Sequence, residues 1–168
     1  MIFVTVGTHE QPFNRLVQKI DELKRDGYIQ EDVFIQTGYS TYEPQYCQWS
    51  HMIPYSEMIN NVKNARIVIT HGGPASFILP LQEHKIPIIV PRQEKFNEHI
   101  NDHQIEFVHF IQKKQNNIII IEDIDDLKET LNHYDLLISK MNQKIVSHNE
   151  IFNLEFEKII QNLMQTKS

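Results

Sequence analysis

Short runs of β-branched residues alternate with segments of helical periodicity along most of this chain. Residues 2–6 form the first such run, and residues 66–70 form the clearest later one. After the first run, apolar residues recur at intervals of three and four, which predicts an amphipathic helix that ends at Gly27. Alternating strands and helices are typical of βαβ units. The sequence therefore predicts an α/β fold with a mainly parallel sheet of about six strands flanked by helices.

One domain is expected to hold this sheet. The chain has 168 residues, which is enough for one domain of ordinary size and too little for two. We predict a single domain over residues 1–168, with a helical C-terminal segment over about 123–165. The last helix carries an apolar stripe of Phe152, Phe156, Ile159, Ile160 and Leu163. That stripe either packs into the domain's own core or docks a partner.

Charge and composition exclude several kinds of partner. The 16 Lys and Arg residues against 22 Asp and Glu residues give a formal charge of −6, which disfavours nucleic acid. No apolar run approaches the ~20 residues of a membrane span, and residues 1–6 lack the basic lead of a signal peptide. The only cysteine, Cys47, cannot form an internal disulfide, so we expect a cytoplasmic protein.

Two loops have the chemistry of an anion site. The first consists of Gly7, Thr8 and His9 after the first strand, and the second runs over residues 71–76 after the fourth strand. Ligands of open α/β sheets bind beyond the carboxyl ends of the strands. Glycine N–H groups and a helix N-terminus favour phosphate there. The alternative is that Gly72 and Gly73 only form a tight turn.

A helix is predicted to begin directly after the second loop. Pro74 suits the first helical turn, because its missing N–H would have no partner there. Ser76 either adds a hydroxyl donor to the anion site or caps the helix. Pro80 removes one helical hydrogen bond, so we expect a kink.

The motifs of other common sites are absent or incomplete. G-x-G-x-x-G does not follow the first strand, and G-x-x-x-x-G-K-[ST] does not occur, so neither a dinucleotide enzyme nor a P-loop nucleotidase is expected. His99 and His103 are four residues apart on a predicted helix, a spacing that suits two metal ligands. Because Ile100 breaks the H-E-x-x-H pattern and no third ligand is evident, we expect no metal site and histidines that face solvent or substrate.

Several segments between residues 52 and 107 together resemble a known family. They are Met-Ile-Pro-Tyr at 52–55, Ala-Arg-Ile-Val-Ile-Thr-His-Gly-Gly at 65–73, Ser76, Glu83, Pro-Arg at 91–92, Glu-His at 98–99 and Asp-His-Gln at 102–104. They resemble the C-terminal, donor-binding half of glycosyltransferase family 28, which implies a Rossmann-like half of the GT-B fold. Residues 3–8 and 36–38 look closer to stand-alone half-enzymes of that family. These are bacterial exopolysaccharide transferase subunits and the catalytic subunit of the dolichol-linked second N-acetylglucosamine transferase.

The resemblance covers about residues 1–110 and implies a UDP-sugar donor, with no cofactor and no metal. The residues that match its phosphate-binding positions are Gly7, Thr8, Gly72, Gly73 and Ser76. Those that match the nucleoside site are Ile53, Tyr55 and Glu83, of which Glu83 would accept from the ribose hydroxyls unless it is a solvated helix residue. Those that match the sugar site are His99, Asp102, His103 and Gln104. His9 is the candidate catalytic base within this chain.

A complete GT-B enzyme has a second domain that binds the acceptor, and 168 residues are too few for both. The resemblance therefore implies the catalytic subunit of a two-component inverting hexosyltransferase in exopolysaccharide or capsule synthesis. We expect a membrane-associated acceptor-binding subunit as partner, a lipid-linked glycan as acceptor and little activity without the partner. The partner would recruit this chain to the inner face of the membrane, and a homodimer is a further possibility. The alternative is a non-catalytic UDP-sugar-binding regulatory or scaffold module.

Overall fold

The computed structural model of the protein describes residues 1–145 together with Lys158 and Gln161. The strands are β1 Ile2–Thr5, β2 Val33–Gln36, β3 Gln48–Ser50, β4 Ile67–Thr70, β5 Ile88–Ile89 and β6 Ile119–Ile120. The helices are α1 Asn14–Arg25, α2 Tyr55–Asn64, α3 Pro74–Gln82, α4 His103–Gln115, α5 Asp126–Asn132 and α6 Tyr134–Ile145. A short 3-10 helix spans Glu94–Phe96. The predicted apolar stripe of the last helix lies outside the described residues.

The six strands form one parallel sheet in the order β3-β2-β1-β4-β5-β6. The prediction of an α/β fold with about six parallel strands is confirmed. The chain builds the sheet outward from β1 to β3 and then crosses back to add β4 on the other side of β1. The direction in which the chain adds strands therefore reverses between β1 and β4. The loops that leave these two parallel strands lie side by side at the carboxyl edge of the sheet.

The central strands are buried on both faces. Phe3, Phe34 and Val68 occupy paired positions on β1, β2 and β4, and they pack with Val62 of α2 and Leu79 of α3. The crossover from β1 to β2 and the crossover from β4 to β5 run in opposite directions along the sheet. Because both are right-handed, α1 lies on the face opposite to α3. Burial on both faces explains why these strands read as nearly continuous apolar runs.

Two predictions from apolar spacing are wrong: a third strand near Met52 and Ile53, and a helix after the fifth strand whose apolar face includes Ile100. The third strand is Gln48–Ser50 rather than a piece near Met52 and Ile53, because residues 48–50 are the ones in register with β2. Ile100 was expected on the apolar face of the following helix, yet it is 75% exposed, because α4 begins only at His103. Helix α3 begins at Pro74 as predicted, continues through Pro80 and ends two residues later.

The chain divides into two compact units, residues 1–133 and residues 134–168. The first contains the whole sheet with α1 to α5, and the described part of the second is helix α6 with Lys158 and Gln161. The single domain over residues 1–168 stays a prediction. None of the helices in the described part of the chain is long and apolar enough to cross a membrane.

Candidate functional site

The loops after β1 and β4 meet around one side chain, the imidazole of His71. A Cβ atom built on Gly7 would overlap His71 Nε2, and one built on Gly73 would lie 2.5 Å from His71 Cε1. The ring thus fills the space between two glycines, one from each loop. A side chain at either position would have to displace the ring.

The imidazole of His71 is uncharged. Its Nδ1 accepts a hydrogen bond from the Gly73 N–H at 3.0 Å. Burial, and after it the positive charge of Arg92, lowers the pKa of His71 well below 6.5. The ring is therefore neutral at pH 7 and carries its proton on Nε2.

The side chain of Gln104 occupies the space beside the remaining glycine of the turn. Its Oε1 atom accepts hydrogen bonds from the Gly72 N–H and the Arg92 N–H, both at 3.0 Å. A Cβ atom on Gly72 would lie 2.9 Å from the Cβ of Gln104. The N–H groups of Gly72 and Gly73, which the sequence analysis assigned to phosphate, are thus both bonded to side chains of this chain.

Ser76 has a local structural contact. Its hydroxyl lies 2.8 Å from the His71 carbonyl and 2.6 Å from the Gly73 carbonyl, and it donates to these oxygens. The N-cap of α3 is Gly73 and no side-chain cap hydrogen bond forms there, so Ser76 does not cap the helix. Its hydroxyl instead stabilises the turn into α3.

Arg92 is a fully buried cation behind these loops. One guanidinium nitrogen donates to Gln11 O at 2.7 Å and Glu98 O at 3.1 Å, and the other donates to Val6 O at 2.8 Å. Burial lowers the pKa of Arg92 to about 10, so the group remains charged at pH 7. Arg92 thereby ties both ends of the loop after β1 to the loop after β5.

A neighbouring ion pair leaves the charge of Arg92 without a carboxylate of its own. The guanidinium of Arg15 binds both carboxylate oxygens of Glu98, at 2.8 and 2.9 Å. Because Glu98 is paired in this way, Arg15, Arg92 and Glu98 together retain one positive charge. The buried charge of Arg92 favours an anionic ligand near these loops.

His9 lies beside His99, with 4.9 Å between the ring centroids. The Nδ1 atom of His9 accepts from the Gln11 N–H at 3.2 Å. Burial, and then the charges of Arg92 and His99, lower the pKa of His9. The neutral ring carries its proton on Nε2, so His9 offers a hydrogen-bond donor rather than the free lone pair that a general base requires.

Gln36 fixes the first loop from the end of β2. Its Oε1 accepts from the Thr5 hydroxyl at 2.6 Å and the Gly7 N–H at 3.2 Å, and its Nε2 donates to Gly7 O at 3.1 Å and His51 O at 2.9 Å. Sequence reasoning assigned no role to Gln36 or Arg92. A polar side chain at the end of an apolar run was the available signal for both.

Four buried polar atoms on these loops have no hydrogen-bond partner among the described residues. They are Gln11 Oε1, Thr70 Oγ1, Arg92 Nε and His99 Nδ1. The other two such atoms, in Asn61 and Asn117, lie towards the amino edge of the sheet. Unpartnered buried polar atoms are costly, so their concentration here marks a place where water or a ligand completes the hydrogen bonds.

The residues expected around a nucleoside are separated in the structure. Tyr55 begins α2 at the carboxyl edge and is 72% exposed, whereas Ile53 packs partly against the Phe3 cluster. Glu83 lies at the far end of α3, where its carboxylate is 3.9 Å from Lys63 Nζ. Glu83 is nine positions beyond Pro74, which at 1.5 Å of helix rise per residue is about 14 Å. The structure places Tyr55 at the carboxyl edge of the sheet and Glu83 at the opposite end of α3.

The residues expected around the sugar also differ in their contacts. Asp102 Oδ1 accepts from the Glu94 N–H at 2.9 Å, and His103 is exposed. His99 precedes α4, so the helical pairing of His99 with His103 does not form. Among the described residues, no group of three potential metal ligands occurs.

Comparison with known proteins identifies a family and a fold. Residues 1–163 match the family model of the glycosyltransferase family 28 C-terminal domain. No curated protein matches the sequence. A solved structure described as the glycotransferase of kitacinnamycin is similar, with a TM-score of 0.58 at 14% sequence identity over 92% of this chain and 38% of that chain. The likeness confirms the predicted Rossmann-like half of a GT-B fold, and this chain spans well under half of that protein's length.

Proposed function

Because the chain belongs to the glycosyltransferase family 28 C-terminal domains, we propose that it binds a UDP-sugar at the carboxyl edge of its sheet. In this proposal it is the donor-binding catalytic subunit of an inverting, two-component hexosyltransferase. The acceptor is a lipid-linked glycan in exopolysaccharide or capsule synthesis. A membrane-associated subunit binds that acceptor and recruits this cytoplasmic chain to the inner face of the membrane.

The observation that carries the proposal is the meeting of two glycine loops over a buried cation. Gly7 and Gly73 flank His71 between β1 and β4, where the order of strand addition reverses, and Arg92 lies behind them. Such a reversal point forms a crevice at the carboxyl ends of the strands. The N-terminus of α3 and the guanidinium charge both favour a diphosphate in that crevice.

The proposed chemistry needs positive charge where UDP departs and a base where the acceptor is deprotonated. Arg92, the Nε2–H of His9 and the N-terminus of α3 supply the first, because negative charge grows on the diphosphate as the sugar bond breaks. This assignment uses no metal. Since His9 Nδ1 is bonded to Gln11 N–H, we assign the base to the acceptor-binding partner rather than to His9.

Exposed apolar side chains on the same edge support a covering partner. Tyr39, Met52, Tyr55, Phe96 and Ile100 are each between 44% and 75% exposed on loops at this edge or at the start of a helix there. An apolar rim around a polar crevice is typical of an interaction surface. The partner would also exclude water from the departing diphosphate.

Calorimetric titration with UDP, UDP-glucose, UDP-galactose and UDP-N-acetylglucosamine tests the binding, with ADP and NAD as controls. We expect UDP and at least one UDP-sugar to bind, and ADP and NAD to bind more weakly. Binding of ADP or NAD without any of the uridine ligands would contradict the proposal.

Turnover separates a catalytic subunit from a non-catalytic UDP-sugar-binding module. We expect the purified chain to transfer little sugar to a lipid-linked acceptor, and to gain activity when an acceptor-binding subunit is added. Binding without turnover under any reconstitution would favour the regulatory or scaffold module. Full turnover by the single chain would defeat the two-component assignment.

A further inference from the structure

We propose that Gln104 is a positioning residue that holds the turn after β4 against the loop after β5. The inference rests on the proposed binding of UDP-sugars. This role is separate from the sugar contact that the family resemblance implied for this residue.

The acceptor capacity of the Gln104 amide is already used within the protein. A carbonyl oxygen has two lone pairs. Gln104 Oε1 accepts one hydrogen bond from Gly72 N–H and one from Arg92 N–H, each at 3.0 Å. The oxygen therefore has no lone pair left for a sugar hydroxyl.

The packing of Gln104 reinforces these hydrogen bonds. Gln104 is the second residue of α4 and is half-buried, and its Cβ fills the space next to Gly72. One amide thus joins the start of α4 to the turn after β4 and to the loop after β5.

We call the two hydrogen bonds from Gly72 N–H and Arg92 N–H to Gln104 the clamp. The clamp reaches the loop after β1 through Arg92. Gln104 holds the backbone N–H of Arg92, and the guanidinium of Arg92 holds Val6 O and Gln11 O. Loss of the Gln104 oxygen would loosen the turn after β4 and the loop after β5, and through Arg92 it would weaken one support of the loop after β1. Since these loops would carry the diphosphate, the affinity for UDP itself should fall. A residue that contacts only the sugar would leave UDP affinity unchanged.

The test compares Gln104→Met with Gln112→Met by calorimetry, using UDP, UDP-glucose and UDP-N-acetylglucosamine. Gln112 is also half-buried on α4, but it bonds to Ile118 O at 3.5 Å and not to these loops. We expect Gln104→Met to lose about tenfold in affinity for UDP, as for loss of a net hydrogen bond. It should lose at least the same factor for each UDP-sugar that binds, and Gln112→Met should match the unaltered protein.

Amide hydrogen exchange tests the clamp without any ligand. We expect the Gly72 and Arg92 amides to exchange faster together in Gln104→Met. Gln104→Glu keeps two acceptor lone pairs at the same position, so both amides should stay protected; faster exchange in Gln104→Glu would contradict the clamp even if Gln104→Met does not fold.

Unchanged UDP affinity in Gln104→Met, with a loss confined to UDP-sugars, would overturn the positioning role. Unchanged exchange at both amides would also overturn it. Failure of the unaltered protein to bind UDP would instead overturn the proposed function, and the exchange measurement would still decide whether Gln104 clamps the loops.

Discussion

At the scale of single residues, the loops of the carboxyl edge are held by three buried or half-buried side chains. Gln36 bonds both the N–H and the carbonyl of Gly7, Arg92 bonds Val6 O and Gln11 O, and Gln104 bonds Gly72 N–H. All of these bonds join groups within the protein itself. They restrict the loops, and such restriction lowers the entropy cost of binding.

The contact between Gly73 and His71 is open to a double-mutant cycle. Gly73 has φ −70° and ψ 135°, a conformation that alanine adopts freely, so the only obstacle to a side chain is the His71 ring. We expect Gly73→Ala to lower the free energy of unfolding by about 1–3 kcal/mol, as for overpacking. With His71→Ala present, the same change should cost less than about 0.5 kcal/mol. Urea unfolding of the four proteins measures both; equal costs in both backgrounds would show that the ring is not the obstacle.

The lowered pKa values of His71 and His9 predict a dependence of stability on pH. In the unfolded chain both rings bind a proton near pH 6.5, whereas the folded protein resists protonation. The contribution of the two neutral rings to the free energy of unfolding is therefore present above pH 6.5 and is lost as the pH falls below it. We expect His71→Asn to reduce the slope of unfolding free energy against pH between pH 6.5 and 5 by up to about 1.4 kcal/mol per pH unit. Urea unfolding across this range measures the slope, and identical slopes for both proteins would contradict the shift.

At the scale of elements, α3 ends on a residue with an unfavourable backbone conformation. His84 is the second residue after α3 and has φ 57°, in the left-handed region. The equivalent position after α1 is a glycine, Gly27, with φ 77°. We expect His84→Gly to raise the free energy of unfolding by about 0.5–1 kcal/mol, because glycine adopts this region without steric cost. His84→Ala is the matched control and should give no such gain. Thermal or urea unfolding measures both, and equal gains would assign the effect to loss of the imidazole.

The direction of α3 also decides the role of Glu83. The helix starts at the crevice and carries Glu83 to the opposite end, next to Lys63. We therefore expect Glu83→Gln to change UDP affinity by no more than about twofold, as for a surface substitution. Calorimetric titration with UDP checks this. A tenfold loss in a folded variant would return Glu83 to the nucleoside site.

Sequence patterns predicted the elements better than the contacts at their ends. The apolar runs located every strand except β3, because burial on both faces restricts their composition. Pro74 located the start of α3, because the first helical turn restricts composition in the same way. The pairing of Gln104 with Gly72 and Arg92 was not predictable, because it joins residues 32 and 12 positions apart through one side-chain oxygen. The start of α4 was mispredicted from Ile100 for a related reason. An apolar residue in helical register says nothing about the bend that delays α4 until His103.

At the scale of the whole molecule, the order of the strands explains why the candidate residues converge. Residues near positions 7, 36, 71, 92 and 104 are far apart in sequence, yet all follow carboxyl ends of neighbouring strands or begin the next helix. The family predicted from their segments is confirmed by the match over residues 1–163. The sugar, the acceptor and the partner depend on surfaces that this topology does not specify.

Backbone amide chemical shifts during titration with UDP test the central proposal most directly, with ADP as the control nucleotide. We expect the largest changes in the loops after β1 and β4, around Tyr55 at the start of α2 and around Arg92, with smaller changes for ADP. Amides near Glu83 and Lys63 at the opposite edge should not respond. Changes confined to that edge, or no changes at saturating UDP, would contradict a donor site at the carboxyl edge of the sheet.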